Sequence, residues 1–325
     1  MKRVLKYLPP LVLLIIIGFL IIEPSIKFGE TSQVKFLLQW GKYGKGDGEF
    51  NQPIGIAIDK RANVYVSDSG NDRIQKSSND GKFVSSWGKE GSKEGELNIP
   101  MHISLDGKNN LYVTEYGNDR VQKFTSEGKS LMAFGGTGNG KGEFDAPSGL
   151  AVDKSGNIYV ADFYNHIVQK FSPTGEFLTQ IGEPGRWFSG KLHYPTDVAI
   201  SKDNSIYIAD AYNNRIQVFS SEGEFLNKWG GPFGLGIQGS RKGWFHVATG
   251  IDTGSEGRVY VADFYNHRIQ ILSREGDFIT SFGKQGSAPG EFERPTDVAV
   301  DDDENIFVVD WGNNRIQKFS IKWKK

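Results

Sequence analysis

The chain of 325 residues contains 41 glycines, 13 % aromatic residues and no cysteine, and carries a formal charge of −1. Without cysteine, disulfides, thiolate metal sites and a cysteine nucleophile are all excluded. A nearly neutral chain lacks the clustered positive charge on which nucleic-acid binding draws, so no nucleic-acid partner is expected.

The first 27 residues differ from the rest. They hold Lys2, Arg3, Lys6 and Lys27 against Glu23, a net +3 that leaves −4 for the remainder. Behind the basic start lies the uninterrupted apolar run Leu11–Ile22, LVLLIIIGFLII. A basic segment followed by such a run reads as an export signal. The run has 12 residues, extended to 16 by Tyr7–Pro10, and is shorter than the ~20 of a comfortable spanning helix. No small-x-small cleavage motif follows it, Ile22-Glu23-Pro24-Ser25-Ile26 being a poor site. The expectation is one N-terminal hydrophobic helix serving as an uncleaved signal-anchor with a short stalk over residues 1–27. Its basic end is held inside and residues 28–325 lie on the extracytoplasmic side of the membrane. Secretion after signal cleavage is the alternative.

From there on one phrase recurs six times, approximately P-T-D-V-A-V-D, N-I-Y-V-A-D, Y-N-N-R-I-Q-K-F, G-E-F-L, W-G. The acidic residue closing its second segment is Asp68, Glu115, Asp162, Asp210, Asp263 and Asp310, at intervals of 47, 47, 48, 53 and 47. A fixed period of this size means an array of one supersecondary unit. In the third copy, Gly149–Val152 is a short apolar run ended by the turn Asp153-Lys154-Ser155-Gly156-Asn157. Ile158–Ala161, Val168–Phe171 and Phe177–Ile181 follow, separated by further turn residues. Four short strands per period make one propeller blade. No apolar stripe of helical period occurs beyond the N-terminus. The predicted fold is all-β, a six-bladed propeller of four-stranded blades at about 53–88, 100–135, 147–182, 195–230, 248–283 and 295–320. The sixth copy lacks its fourth strand. Phe36–Gly41, FLLQWG, matches FVSSWG, FLNKWG and FITSFG, so strand 34–41 should complete the last blade and tie the ring shut.

The segments DSGNDRIQK, EYGNDRVQK, DFYNHIVQK, DAYNNRIQV, DFYNHRIQI and DWGNNRIQK strongly resemble the NHL repeat. The resemblance covers about 285 residues and all six copies, with two departures: Glu115 for Asp and Ile167 for Arg. It implies the propeller fold more firmly than an activity, because that family includes RNA-binding modules of tripartite-motif proteins, peptidylglycine lyase domains and surface proteins. In the lyases, zinc-binding histidines directly follow the leading proline. Here those positions are Ile54, Met101, Ser148, Thr196, Thr249 and Thr296, so the lyase activity is not expected. A ubiquitin-ligase role lacks the cysteines of a RING.

An ion pair repeated around a ring reads as a brace, so Asp68/Arg73, Asp210/Arg215, Asp263/Arg268 and Asp310/Arg315 are assigned to the scaffold. The asparagines before the arginines read as turn residues bonding backbone. His166 and His267 stand where other copies have Asp or Asn and read as polar turn filler. Function is sought where copies differ. Aromatics after the closing acid concentrate on the third to fifth copies: Phe163, Tyr164, Tyr212, Phe264 and Tyr265. The links at 183–194 and 230–247 are irregular and carry Trp187 and Arg241, and irregular loops on a rigid scaffold favour binding. These seven residues are the predicted ligand site of a non-catalytic, surface-tethered propeller that takes a protein, peptide or glycan. The alternative is a metal-dependent hydrolase or lyase of the lactonase-like propeller type. In it His102, Asp197 and Asp297, two residues after the leading proline, would ring the channel mouth and hold a divalent cation such as calcium, with His193 or His246 as base. The leading reading needs no cofactor.

Overall fold

In the repeated N-I-Y-V-A-D segments, apolar and small residues occupy both faces of the strand. A strand of that composition must be covered on both sides, and in this protein the neighbouring blades cover it. The computed structural model describes residues 33–323; the helix, anchor and stalk expected for residues 1–27 lie outside them. No helix among the described residues is long and apolar enough to cross a membrane.

The chain forms six four-stranded antiparallel sheets around an axis. In blade 1 the strands are Pro53–Ile58, Val64–Asp68, Arg73–Ser77 and Phe83–Trp87, from the axis outward. The inner strands of blades 2 to 6 are Pro100–Leu105, Pro147–Val152, Pro195–Ile200, Ala248–Thr253 and Pro295–Val300. Every second strand, such as Ile158–Asp162, is buried along its whole length. Four of the outer strands alternate half-buried and exposed residues, as in Phe83–Trp87, because only their inward face meets the core; Phe225–Trp229 and Phe278–Phe282 do not.

Closure is as the repeat predicts. Gln33–Trp40 pairs antiparallel with Arg315–Lys322 and becomes the outer strand of blade 6, Gln33 opposite Lys322 and Trp40 opposite Ile316. The six apolar clusters lie between neighbouring blades. One of them joins Phe307, Val309 and Ile316 of blade 6, with Trp40, to Ile56, Val64 and Val66 of blade 1. Outer-strand side chains reach over the next blade's third-to-fourth-strand turn. Gly81 has a φ of 82°, and a Cβ there would lie 2.8 Å from the Trp40 ring. Only glycine serves both the positive φ and the close approach.

The braces are present and wider than the sequence suggests. Asp68 accepts the Asn51 N–H, Asn71 Nδ2, Arg73 Nε at 2.7 Å and Gln75 Nε2. Arg73 and Gln75 in turn donate to the Glu49 carbonyl. The acid, the asparagine and the glutamine of each copy, with the arginine in every copy but the third, therefore fasten the incoming blade connection to the loop between second and third strands. Glu115 does the same with Arg120 and Gln122, so the first departure from the pattern is conservative in structure. The glutamines, all buried, were not singled out by sequence reasoning.

Asp72, Asp119, His166, Asn214, His267 and Asn314 all adopt left-handed backbone. Each accepts the N–H of the residue before the next blade's inner strand, Ile99 on Asp72 and Tyr194 on His166 Nδ1, for example. The two histidines thus act as hydrogen-bond acceptors in a turn, as the swap pattern implies.

Blade 3 lacks its arginine. Burial pushes the Asp162 carboxyl up to about 6, with Asn165, the Asp145 N–H and Gln169 only partly opposing it. A carboxyl whose folded-state pKa exceeds its unfolded one carries no penalty below the ordinary carboxylate range, and the penalty grows as pH rises through about 6. Ile167→Arg should supply the missing partner and reach the Gly140 and Glu143 carbonyls as Arg73 reaches those of Gly46 and Glu49. We expect a gain of about 1.5–2 kcal/mol at pH 7, at the low end of the range for hydrogen bonds to charged groups, and a smaller gain at pH 4. Denaturant unfolding at the two pH values checks this, and equal stability of variant and parent at pH 7 would refute it.

Candidate functional site

The loops between second and third strands and the blade connections build one face of the disc, the upper face. On it the residues after the closing acids differ: Ser69 and Ala211 are buried, whereas Tyr116, Phe163, Phe264 and Trp311 make ring contacts with neighbouring aromatics. Tyr116 and Tyr164 hydroxyls meet at 3.0 Å, and this bond, with burial second, raises Tyr116 to about 12. Phe163 packs on Tyr194 at 4.8 Å between ring centroids, and Tyr194 on Tyr212 at 4.9 Å. His166 and His193 stack at 5.1 Å, with Tyr194 edge-on to both. The result is a continuous aromatic shelf from blade 2 to blade 4. Its tyrosines keep solvent contact, Tyr164 being 44 % and Tyr212 52 % exposed.

Arg186 donates to His193 Nε2 at 3.2 Å, leaving His193 Nδ1 buried without a partner. Burial first, and the Arg186 charge second, hold both His166 and His193 below the ordinary histidine range. The shelf histidines are therefore neutral at physiological pH.

The sequence placed the aromatics on blades 3 to 5, and the structure divides them. Phe163, Tyr164 and Tyr212 belong to the shelf. Phe264 and Tyr265 form a second group, with His246 on Tyr265 at 4.8 Å and Trp311 of blade 6 on Phe264 at 6.2 Å. Arg241 lies over the Trp244 ring in the 230–247 connection. Trp187 is exposed beside Phe188, and its carbonyl accepts from Arg215 and Lys228 of blade 4. The 183–194 link keeps the parallel bridging of the regular connections, through Glu183–Pro184 and Lys191–Leu192. Only 230–247 departs, with an added turn at Pro232–Gly234 that presents Phe233, Leu235 and Ile237 to solvent. Sequence reasoning missed Tyr116 and Tyr194 as shelf members. Tyr194 takes the place of Ile99 and Ala146 before the leading proline, and that substitution was the available signal.

His102, Asp197 and Asp297 converge at the axis. His102 Nε2 lies 3.3 Å from Asp197 Oδ2 and 3.0 Å from Asp297 Oδ2. The expectation that they ring an open mouth is corrected: both aspartates are 1 % exposed and the group closes the axis. The other inner strands have Gly55, Gly149 and Gly250 at this level, where a Cβ would come within 2.7, 2.3 and 2.4 Å of the neighbouring blade. Large side chains on even blades thus require glycine on odd ones. Asp197 accepts the Ile251 N–H and Asp297 the Ile56 N–H, each linking its blade to the next. Burial opposes a charged His102, but Asp197 and Asp297 outweigh it and hold its pKa well above the usual value. Burial lifts Asp197 to about 6 against the pull of His102. Below this plug a cavity of about 250 Å³ is lined by His102, Ser104, Asp252 and apolar inner-strand residues. Burial raises Asp252 to about 7. His193 and His246 take part in the upper-face ring stacks, not in the triad.

These features define a six-bladed β-propeller of four-stranded antiparallel blades. The NHL repeat family matches residues 50–76, 144–171 and 192–219, and a family described as 6-bladed beta-propeller matches residues 251–324. The chain therefore carries NHL repeats. Among curated proteins, Protein lin-41 of Caenorhabditis elegans is 47 % identical over 45 residues, a match spanning 14 % of this chain and 4 % of that protein. Among solved structures, virginiamycin B lyase of Staphylococcus aureus is similar at 17 % identity and TM-score 0.60, over 90 % of this chain and 88 % of that one. The gluconolactonase of Xanthomonas campestris is similar at 14 % and 0.64, over 85 % and 88 %. An auxiliary nutrient binding protein of Bacteroides thetaiotaomicron is similar at 17 % and 0.64, over 91 % and 77 %. At these identities the likeness is one of fold.

Proposed function

We propose that the propeller is a non-catalytic binding module that takes a protein or peptide ligand on its upper face. The continuous shelf of Tyr116, Phe163, Tyr164, Tyr194 and Tyr212 carries this reading. Tyrosine supplies a large apolar area with a hydrogen-bonding tip at low entropy cost, which suits it to the centre of an interface. The exposed Trp187, Phe188 and Phe233 extend the apolar surface around blade 4. The repeated carboxylates, by contrast, are engaged in braces and serve the scaffold. The fold likeness to a lyase and a gluconolactonase supports a hydrolase reading at the level of fold alone.

In this proposal the N-terminal segment tethers the module to the extracytoplasmic side of a membrane. Gln33 pairs with Lys322, at the end of the sheet opposite Trp40 and the upper-face loops. The tether would then attach on the lower face, and the shelf would point away from the membrane.

A photo-crosslinking residue at Tyr265, beside the shelf, should trap a protein partner on intact cells. The double variant Tyr164→Ala/Tyr212→Ala should reduce trapping by more than about tenfold, since a buried interface tyrosine is worth on the order of 2 kcal/mol or more. Its melting temperature should match the parent, because both side chains lie outside the blade cores. Trapping that is unchanged in the double variant would overturn the reading.

A further inference from the structure

The axial triad has no part in binding on the upper face, yet its geometry is specific. Three side chains from blades 2, 4 and 6 meet at one level of the axis, and three glycines of blades 1, 3 and 5 make room for them. His102 Nε2 has a carboxylate oxygen on either side at 3.0 and 3.3 Å. All three ligand atoms lie within 4.8 Å of one another. Neither ring nitrogen of His102 has an aligned hydrogen-bond partner, although both are shielded from solvent. In the absence of a metal the two carboxylates favour a proton on His102, and a cation bound between the three atoms would take that proton's place.

We propose that His102, Asp197 and Asp297 form a binding site for a divalent transition-metal ion of the zinc class. The spacing fits the ion's size. With metal–ligand bonds of about 2.1 Å, adjacent ligand atoms are separated by about 3.0 Å in octahedral and about 3.4 Å in tetrahedral coordination. The observed 3.0 and 3.3 Å fall on these edges. An imidazole with two carboxylates is a borderline donor set that suits zinc, manganese or iron. Calcium, which prefers six to eight oxygens at longer distances, is the poorer fit, which revises the ion expected from sequence.

The donors are also held in place. Asp197 accepts the N–H groups of Val198 and Ile251, and Asp297 those of Val298 and Ile56. Each carboxylate is oriented by two backbone donors while turning one oxygen to His102, the support a metal ligand needs. The cavity of about 250 Å³ reaches His102 from the lower side, giving the ion a route and leaving coordination positions for water. An ion here would bind three blades at once, so its effect is on ring stability whatever the ligand of the upper face.

The test uses the chain purified without a histidine tag, stripped with chelator and titrated with zinc chloride. One zinc per chain is expected by elemental analysis, with a melting temperature that rises on loading. In His102→Gln the affinity should fall by about 100-fold or more, the upper range for loss of even an outer-sphere partner, and zinc should no longer raise the melting temperature. If that variant fails to fold, anomalous diffraction from zinc-loaded parent crystals decides. Density between His102, Asp197 and Asp297 supports the site, and density only elsewhere overturns it. Absence of stoichiometric zinc, or equal binding by a folded His102→Gln variant, also overturns it.

Discussion

Asp210→Ala is expected to lower the unfolding free energy by about 3–5 kcal/mol, the range for breaking a buried ion pair by removing one partner. Asp210 and Arg215 are both 0 % exposed, with Arg215 Nε 2.7 Å from Asp210 Oδ2. The carboxylate also accepts from the His193 N–H, Asn213 and Gln217. Removing it leaves four donors unmatched and strands the guanidinium in a site that water does not reach, which is costly in itself. The equivalent substitution in blade 5, Asp263→Ala, should cost less, because the Arg268 side chain is 13 % exposed and can regain some hydration. Guanidinium unfolding with an unchanged denaturant slope would measure both losses. A loss under about 1 kcal/mol at Asp210 would contradict the brace.

Deleting residues 33–41 should abolish the cooperative fold. The deletion removes the outer strand of blade 6 and bares the Arg315–Lys322 edge, a template for pairing with other chains. It also removes Val34 and Phe36 from the interface of blades 5 and 6, and Trp40 from that of blades 6 and 1. Burying a large apolar side chain is worth about 1.5–3 kcal/mol, and a domain has only about 5–15 kcal/mol of stability in all. Size-exclusion chromatography should show association, and near-ultraviolet circular dichroism should lose its aromatic signal. A monomeric, natively folded deletion would refute strand closure. Trp40→Ala alone should cost roughly 2–3 kcal/mol, below the range for a fully buried tryptophan.

Both expectations rest on identity of position in successive copies. Closure by residues 34–41 was legible because FLLQWG repeats a phrase whose place in other blades was known. The Asp/Arg brace was legible in the same way, from the invariance of position. The glutamine at the third position of each third strand, such as Gln75 or Gln122, was overlooked because a strand glutamine has no marked signature. Its role as donor to Glu49 or Glu96 carbonyls depends on a connection some 26 residues away.

At the candidate site the sequence located exposed aromatics but not their grouping. Tyr164 and Tyr212 were visible in the repeat alignment, whereas Tyr194 joins them only because the blade connection turns it, at a φ of 52°, between two loops. Of Phe264 and Tyr265, aligned with Phe163 and Tyr164, Phe264 faces Trp311 of blade 6 and Tyr265 packs with His246 instead. The triad was legible as three polar residues at one repeat position. Its burial was not, because alternation with glycine around a closed ring has meaning only once blades 1 and 6 are neighbours.

By itself the sequence determined the period, the four strands of each blade, the closure of the ring and which repeated residues belong to the scaffold. All of these follow from local patterning and from identity of position in successive copies. Only the tertiary structure decided that the aromatics form two groups, that the 183–194 link is regular, and that His102, Asp197 and Asp297 plug the axis. Those facts depend on distances between residues of different blades, which are set by the closing of the ring and leave no trace in the order of residues along the chain.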